Sequence, residues 1–156
     1  MDGIGVVSET DFLPIASPER PHFNIPDGAP PSREVLATRL LDQGCTPVSL
    51  LGEGAVVHPT SSLGMRSLLG VGACTSADSV TGAFFHLNVN AYVAHDCIAE
   101  DFVTVSPGAQ CLGGVRLESR VFVVARALIK PGIKVGEGAV IGMGAVLIRD
   151  LEWEPY

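Results

Sequence analysis

From Ala55 to Asp150 the chain reads AVVHPT SSLGMR SLLGVG ACTSAD SVTGAF FHLNVN AYVAHD CIAEDF VTVSPG AQCLGG VRLESR VFVVAR ALIKPG IKVGEG AVIGMG AVLIRD. This stretch repeats every six residues, for sixteen units without an insertion. The third position of the unit is apolar in fourteen of the sixteen, Thr75 and Thr81 being the exceptions, and the first is small or aliphatic almost throughout. Two inward residues separated by an outward one form a short strand, and the remaining residues form a turn.

Three such units complete one triangular coil of about eighteen residues, and stacked coils pair their backbone groups with one another. The sequence therefore predicts a mainly β protein, a left-handed parallel β-helix of about five coils. A β-sandwich is the alternative, but its loops are irregular and would not keep one frame over 96 residues.

The segment before Ala55 breaks the six-residue frame and holds seven of the eleven prolines. His22 to Ile25 is predicted as a short strand and Thr46 to Leu51 as a second one. Between them, Ser32 is expected to cap a helix that runs to Asp42. The apolar face of this helix is expected to carry Val35, Leu36 and Leu40.

Strand, helix and strand within about thirty residues resemble one βαβ unit, the last part of a nucleotide-binding domain. The Gly-rich phosphate loop that opens such a domain is not expected at Gly3 and Gly5, because no strand precedes them. The helix start between Gly28 and Arg33 is interpreted as a plain capped terminus, with an anion site as the alternative. We thus expect a truncated α/β segment at 1–54, the β-helix at 55–150 and a tail at 151–156.

Composition excludes several classes of function. A formal charge of -7 argues against nucleic acid as a partner. No apolar run is long enough for a membrane span and the first residues do not resemble a signal peptide, so a cytoplasmic protein is expected. The cysteines lack CxxC spacing and are interpreted as core residues with free thiols, namely Cys45, Cys74, Cys97 and Cys111.

One stretch of the coil differs from the rest, NVNAYVAHDC at residues 88–97, followed by an SPG turn at 106–108. This His-Asp-Cys turn, with an asparagine seven residues before the histidine, resembles the bacterial hexapeptide-repeat acyltransferases that acetylate nucleotide-linked amino sugars or sialic acid. The resemblance covers about two thirds of the chain. It implies that His95 is the general base, that Asp96 orients it, and that the amide of Gly113 faces the thioester oxygen.

The hexad arithmetic supports this arrangement independently. Gly113 follows His95 by eighteen residues, one full coil, so the two are expected side by side. An imidazole, with an ordinary pKa of about 6.5, can take a proton from an acceptor amine or hydroxyl at neutral pH. A fixed amide can stabilise the oxyanion that develops, typically by about 3–4 kcal/mol. Cys97 occupies an inward position and is interpreted as core rather than as a nucleophile.

The resemblance also implies acetyl-CoA as the acyl donor, no metal, a homotrimer with sites between subunits, and a sugar or nucleotide sugar as acceptor. Whether oxygen or nitrogen is acylated stays open. Asn88 and Thr104 are candidate acceptor-binding residues, although Asn88 could instead cap a turn. The candidate cofactor-binding residues are Gly113, Lys130, Lys134 and Gly142, with Arg149 as a further phosphate contact.

Three features of the family pattern are not expected in this sequence. These are the phosphate loop, the extension beyond Tyr156, and the glycines at the positions where Val124 and Arg126 stand. Two rival functions therefore stay open. A γ-class carbonic anhydrase shares this coil but needs three histidines on zinc, and only His86 and His95 lie mid-coil. A β-helix module for binding or assembly needs no chemistry. His86 and His58 are interpreted as structural or surface residues.

Overall fold

The computed structural model describes residues 22–152. It is a parallel β-helix of about five coils that follows a small α/β segment, which confirms the predicted fold class. Gly3, Gly5 and residues 153–156 of the predicted tail lie outside the described part of the chain. Between residues 22 and 152 there is no helix with the length and apolarity needed to cross a membrane.

The coil has three flat sides, each a parallel sheet of two-residue strands. Sheet 1 has six strands: Leu50–Leu51, Leu68–Leu69, His86–Leu87, Thr104–Val105, Phe122–Val123 and Val140–Ile141. Sheet 2 also has six: Val56–Val57, Cys74–Thr75, Tyr92–Val93, Gln110–Cys111, Leu128–Ile129 and Val146–Leu147. Sheet 3 has four: Val80–Thr81, Ile98–Ala99, Arg116–Leu117 and Lys134–Val135.

Neighbouring strands within each sheet are eighteen residues apart. Tyr92 pairs with Gln110, for example, and His86 with Thr104. This register is the one that the hexad frame predicts, three units to a coil. Residues of equal hexad position therefore form straight rows that run along the coil.

The core is the column of inward residues at the first and third hexad positions. Val93, Val105 and Ile129 are almost completely buried, and so are small residues of the first position such as Ala91 and Ala109. Alternating small and branched residues fill the narrow interior. Thr75 and Thr81 are buried as well, and their hydroxyls find partners: Ser61 for Thr75 and the Gly64 N–H for Thr81.

The N-terminal segment forms the predicted βαβ unit. Strand β1 (His22–Phe23) pairs in parallel with β2 (Thr46–Pro47), and helix α1 (Pro30–Asp42) connects them. The predicted strand Thr46–Leu51 was too long. Leu50–Leu51 belongs to sheet 1, where the Leu50 N–H donates to the Ser67 carbonyl at 2.9 Å.

The start of α1 also differs from the prediction. The helix begins at Pro30, with Ala29 as its N-cap residue, so Ser32 is not the cap. Asp27 instead accepts bonds from the Ala29 N–H at 2.9 Å and from the Ser32 hydroxyl. These hydrogen bonds lower the pKa of Asp27. Its carboxylate therefore takes the place where an external anion would bind, and the interpretation as a plain helix terminus fits the structure.

Arg33 fixes α1 on the coil. Its side chain is completely buried and donates to four backbone carbonyls, those of Asp27 (2.8 Å), Phe84 (3.2 Å), Phe102 (2.6 Å) and Val103 (3.4 Å). Burial lowers its pKa to about 10, so it is charged at neutral pH. The helix face towards the coil carries Arg33, Leu36, Ala37, Leu40 and Leu41, whereas Val35 is 59% exposed and does not belong to it.

Candidate active site

His95 lies on the edge between sheets 2 and 3, in the turn that follows Tyr92–Val93. Its side chain is 65% exposed and that of Asp96 is 66% exposed. The distance between His95 Nδ1 and Asp96 Oδ2 is 2.7 Å. A carboxylate at Nδ1 holds the proton on that nitrogen, which leaves the lone pair of Nε2 directed away from Asp96.

Gly113 lies one coil further along the same edge and against the His95 ring. A Cβ added at Gly113 would stand 2.6 Å from both Cε1 and Nε2 of His95, closer than real carbon atoms approach. The backbone joins the two turns, since the Gly114 N–H donates to the His95 carbonyl at 2.9 Å. The eighteen-residue spacing thus brings the imidazole and this glycine together, as the hexad arithmetic predicts.

The N–H of Gly113 is unoccupied. On the edge between sheets 3 and 1, side-chain carboxylates accept hydrogen bonds from the backbone N–H groups at the same hexad position. The N–H of Ala83 donates to Asp101 (2.7 Å), that of Ser119 to Glu100 (3.0 Å) and that of Glu137 to Glu118 (2.9 Å). Among residues 22–152, Gly113 N–H has no acceptor. In the next coil along the edge stands Pro131, which has no N–H. The edge therefore offers an unused amide donor beside the imidazole.

Asp96 has a left-handed backbone with φ of 58°. This sixth hexad position is left-handed in every unit from Arg66 to Gly144, and glycine occupies it in several turns, for example at Gly114 (φ 70°). The Asp96 N–H donates to the Ala77 carbonyl at 3.0 Å, which fixes the turn. Aspartate tolerates this conformation better than most residues, so the turn can keep a carboxylate next to His95.

The two candidate acceptor-binding residues have partners within the chain. Asn88 Oδ1 accepts the Val89 N–H at 3.0 Å, a turn contact of the kind that the alternative interpretation describes. Thr104 is completely buried, and its hydroxyl donates to the Gly28 carbonyl at 2.8 Å. Thr104 therefore lies beneath the N-terminal segment in this structure, and acceptor binding by either residue stays a prediction.

The candidate cofactor residues do not gather at one place on a single chain. Lys130 is exposed in the turn that reaches the His95 edge one coil beyond Gly113, and Arg149 is exposed on the same edge one coil further. Lys134 lies on the outer side of sheet 3, where it lines a cavity of 430 Å³ together with Glu118, Glu137 and Asp150. Gly142 follows Ile141 and so belongs to the edge between sheets 1 and 2.

His86 is the residue whose environment the sequence did not reveal. It occupies an outward position, yet residues of the N-terminal segment cover it and only 1% of it is exposed. Burial, with a smaller contribution from the Arg33 charge, lowers its pKa to about 3, so the ring is neutral at neutral pH. His86 is therefore not available to a metal on the His95 edge, and its interpretation as a structural residue stays a prediction. His58 bonds Thr60 within its own turn at 3.1 Å.

The fold and the His95 edge together indicate a β-helix acyltransferase, and comparison with known proteins agrees. The chain belongs to the bacterial hexapeptide-repeat family of left-handed β-helix acyltransferases. It is similar to the GDP-perosamine N-acetyltransferase of Escherichia coli O157:H7, with 32% identity over 144 residues. That alignment covers 92% of this chain and 64% of the relative, so the chain spans slightly less than two thirds of the length of that protein.

Solved structures of other proteins are similar to this chain as well. WeeI from Acinetobacter baumannii AYE superposes with a TM-score of 0.91 at 31% identity, covering 97% of this chain and 74% of that one. PerB from Caulobacter crescentus, in complex with CoA and GDP-perosamine, superposes with a TM-score of 0.90 at 29% identity, covering 97% and 73%. No protein-family model matches the chain.

Proposed function

We propose that the chain transfers an acetyl group from acetyl-CoA to the amine of a nucleotide-linked amino sugar. The observation that carries this proposal is the His95 edge, where an imidazole bonded to a carboxylate stands against a glycine with an unused N–H. The similar proteins support the donor and the acceptor class, since one is a GDP-perosamine N-acetyltransferase and another is bound to CoA and GDP-perosamine. They also favour nitrogen over oxygen as the acylated atom.

The residues then have these roles. The sugar nitrogen attacks the thioester carbonyl carbon while His95 Nε2 takes one of its protons, and Asp96 stabilises the resulting imidazolium. The oxyanion of the tetrahedral intermediate accepts a hydrogen bond from the N–H of Gly113. When the intermediate collapses, the C–S bond breaks and the sulfur of CoA takes the proton from Nε2. The transfer is direct, and its rate depends on holding both substrates at one edge.

Binding of the substrates is proposed along the same edge. Lys130 and Arg149 follow Gly113 coil by coil, and their charges suit the phosphates of CoA. Lys134 and Gly142 stay candidate cofactor contacts, and Asn88 and Thr104 candidate acceptor contacts, for which a second subunit or a rearranged N-terminal segment is needed.

We further propose a homotrimer, because one chain leaves the His95 edge open and exposes an apolar face beside it. The outward residues of sheet 2 are mostly apolar: Val56, Cys74, Tyr92, Leu128 and Val146, with Gln110 between them. Val56 is 52% and Val146 is 63% exposed. Burial of such a row against a second subunit is favourable and would close the edge. We propose the cytoplasm as the location, in keeping with four free cysteines.

The test is the release of CoA thiol from acetyl-CoA with GDP-perosamine, other nucleotide-linked amino sugars and their hydroxyl counterparts as acceptors. We expect turnover with an amino sugar and a loss of about a thousandfold in His95→Ala, within the range attributed to general base catalysis. The matched control is His58→Ala, which removes a turn histidine two coils away on the same edge and should keep wild-type turnover.

The same assay separates the rival functions. If a folded wild-type protein releases no thiol with any acceptor, a binding or assembly module is the better description. Equal turnover in wild type and His95→Ala would show that His95 is not the general base. The carbonic anhydrase alternative loses its second mid-coil histidine, because His86 is buried beneath the N-terminal segment.

A further inference from the structure

The peptide unit between Leu112 and Gly113 has different contacts on its two sides. Its N–H, on Gly113, is the unused donor beside His95. Its carbonyl, on Leu112, faces the interior and accepts two donors: the Val115 N–H at 3.3 Å and the Cys97 thiol at 3.1 Å. The orientation of the amide that the proposed mechanism needs is therefore set from inside the coil.

Cys97 is well suited to be one of those donors. Its side chain is only 2% exposed, so the thiol has no competing water. Burial raises the pKa of Cys97, which keeps the thiol protonated and able to donate at neutral pH. Cys97 is also only two residues from His95, so one turn carries both the imidazole and the group that contacts the opposite peptide.

We infer that Cys97 is a positioning residue, whose thiol orients the Leu112–Gly113 peptide so that the Gly113 N–H meets the oxyanion. This inference rests on the proposed acyl transfer and adds a residue to it. A bond to the carbonyl of a peptide also polarises its N–H, which makes that N–H a better donor. The thiol is a weak donor, so the effect on rate is modest.

Cys111 provides a matched control. It is a second inward cysteine of the same coil interior, 1% exposed, and its thiol makes no hydrogen bond to the Leu112 carbonyl, although its own carbonyl lies 3.9 Å from the Cys97 sulfur. Cys97→Ala and Cys111→Ala each remove one buried sulfur and leave a similar cavity. Cys97→Ser removes the sulfur but keeps a hydrogen-bond donor at the position.

The first measurement needs no substrate. In protein labelled with ¹⁵N-glycine, the amide signal of Gly113 reports on the hydrogen bond to the preceding carbonyl. We expect Cys97→Ala to move the Gly113 signal clearly more than Cys111→Ala does, and Cys97→Ser to leave it near the wild-type position. Equal displacement of Gly113 by the two alanine variants would overturn the inference.

The second measurement is steady-state kinetics with acetyl-CoA and an amino sugar. We expect kcat of Cys97→Ala to fall about fivefold with the KM for acetyl-CoA unchanged, while Cys97→Ser recovers most of the loss and Cys111→Ala loses less than twofold. A loss in Cys111→Ala as large as in Cys97→Ala, or no recovery with serine, would contradict a positioning role. If the wild type does not turn over, the proposed function fails, and the Gly113 signal alone decides whether Cys97 sets the peptide.

Discussion

At the scale of single residues, the candidate active site depends on the absence of a side chain at Gly113. Gly113 does not have the positive φ that favours glycine, so backbone strain does not require glycine at this position. The constraint is the His95 ring, which occupies the space that a methyl group would fill. The glycine therefore permits close contact between an imidazole and an amide, and this contact is what the proposed chemistry uses.

Gly113→Ala should lower the activity of the protein with little effect on its stability. The methyl group must push the His95 ring away, and displacement of a reacting group by about 1 Å can cost about a hundredfold in rate. We expect kcat to fall by about that factor, while the free energy of unfolding changes by less than about 1 kcal/mol, because the edge is exposed and the ring can move.

Gly28→Ala is the control, since a Cβ there meets no atom within 4 Å. Kinetics and denaturant unfolding of both variants give the comparison. Wild-type turnover in Gly113→Ala would mean that the ring position seen here is not the one used in catalysis.

At the scale of elements, the sequence predicts the coil far better than the segment before it. The hexad frame is local and unbroken, so it determines the strand positions and their register. It also determines that His95 and Gly113 lie side by side. The N-terminal contacts join distant residues and leave no such pattern. Burial of His86 and the role of Arg33, which bonds residues 51 and 69 positions away, were not predictable from spacing.

Arg33→Met should loosen α1 from the coil. The substitution keeps an apolar stem but leaves buried carbonyls without their charged donor, a change that typically costs about 3 kcal/mol. We expect a loss of that size in the free energy of unfolding, measured by urea denaturation. Arg116→Met, on the exposed side of sheet 3, should stay within about 0.5 kcal/mol of wild type. Equal stability of the two variants would show that Arg33 does not hold the helix.

At the scale of the whole molecule, the row of apolar residues on sheet 2 is the feature that a single chain does not explain. A trimer predicts a mass in solution three times the 16.3 kDa of one chain. Leu128→Glu places a charge within that row and should give monomers, whereas Arg116→Glu on sheet 3 should stay trimeric. Sedimentation velocity measures both, and a monomeric wild type would exclude the proposed assembly.

The most direct test of the proposed mechanism is a crystal structure of the protein with acetyl-CoA and a nucleotide-linked amino sugar, obtained with His95→Asn to slow turnover. We predict the thioester oxygen about 3 Å from the Gly113 nitrogen, and the acceptor nitrogen on the side of residue 95 that faces Gly113. A thioester bound on another edge of the coil, with the Gly113 N–H still unoccupied, would contradict the mechanism.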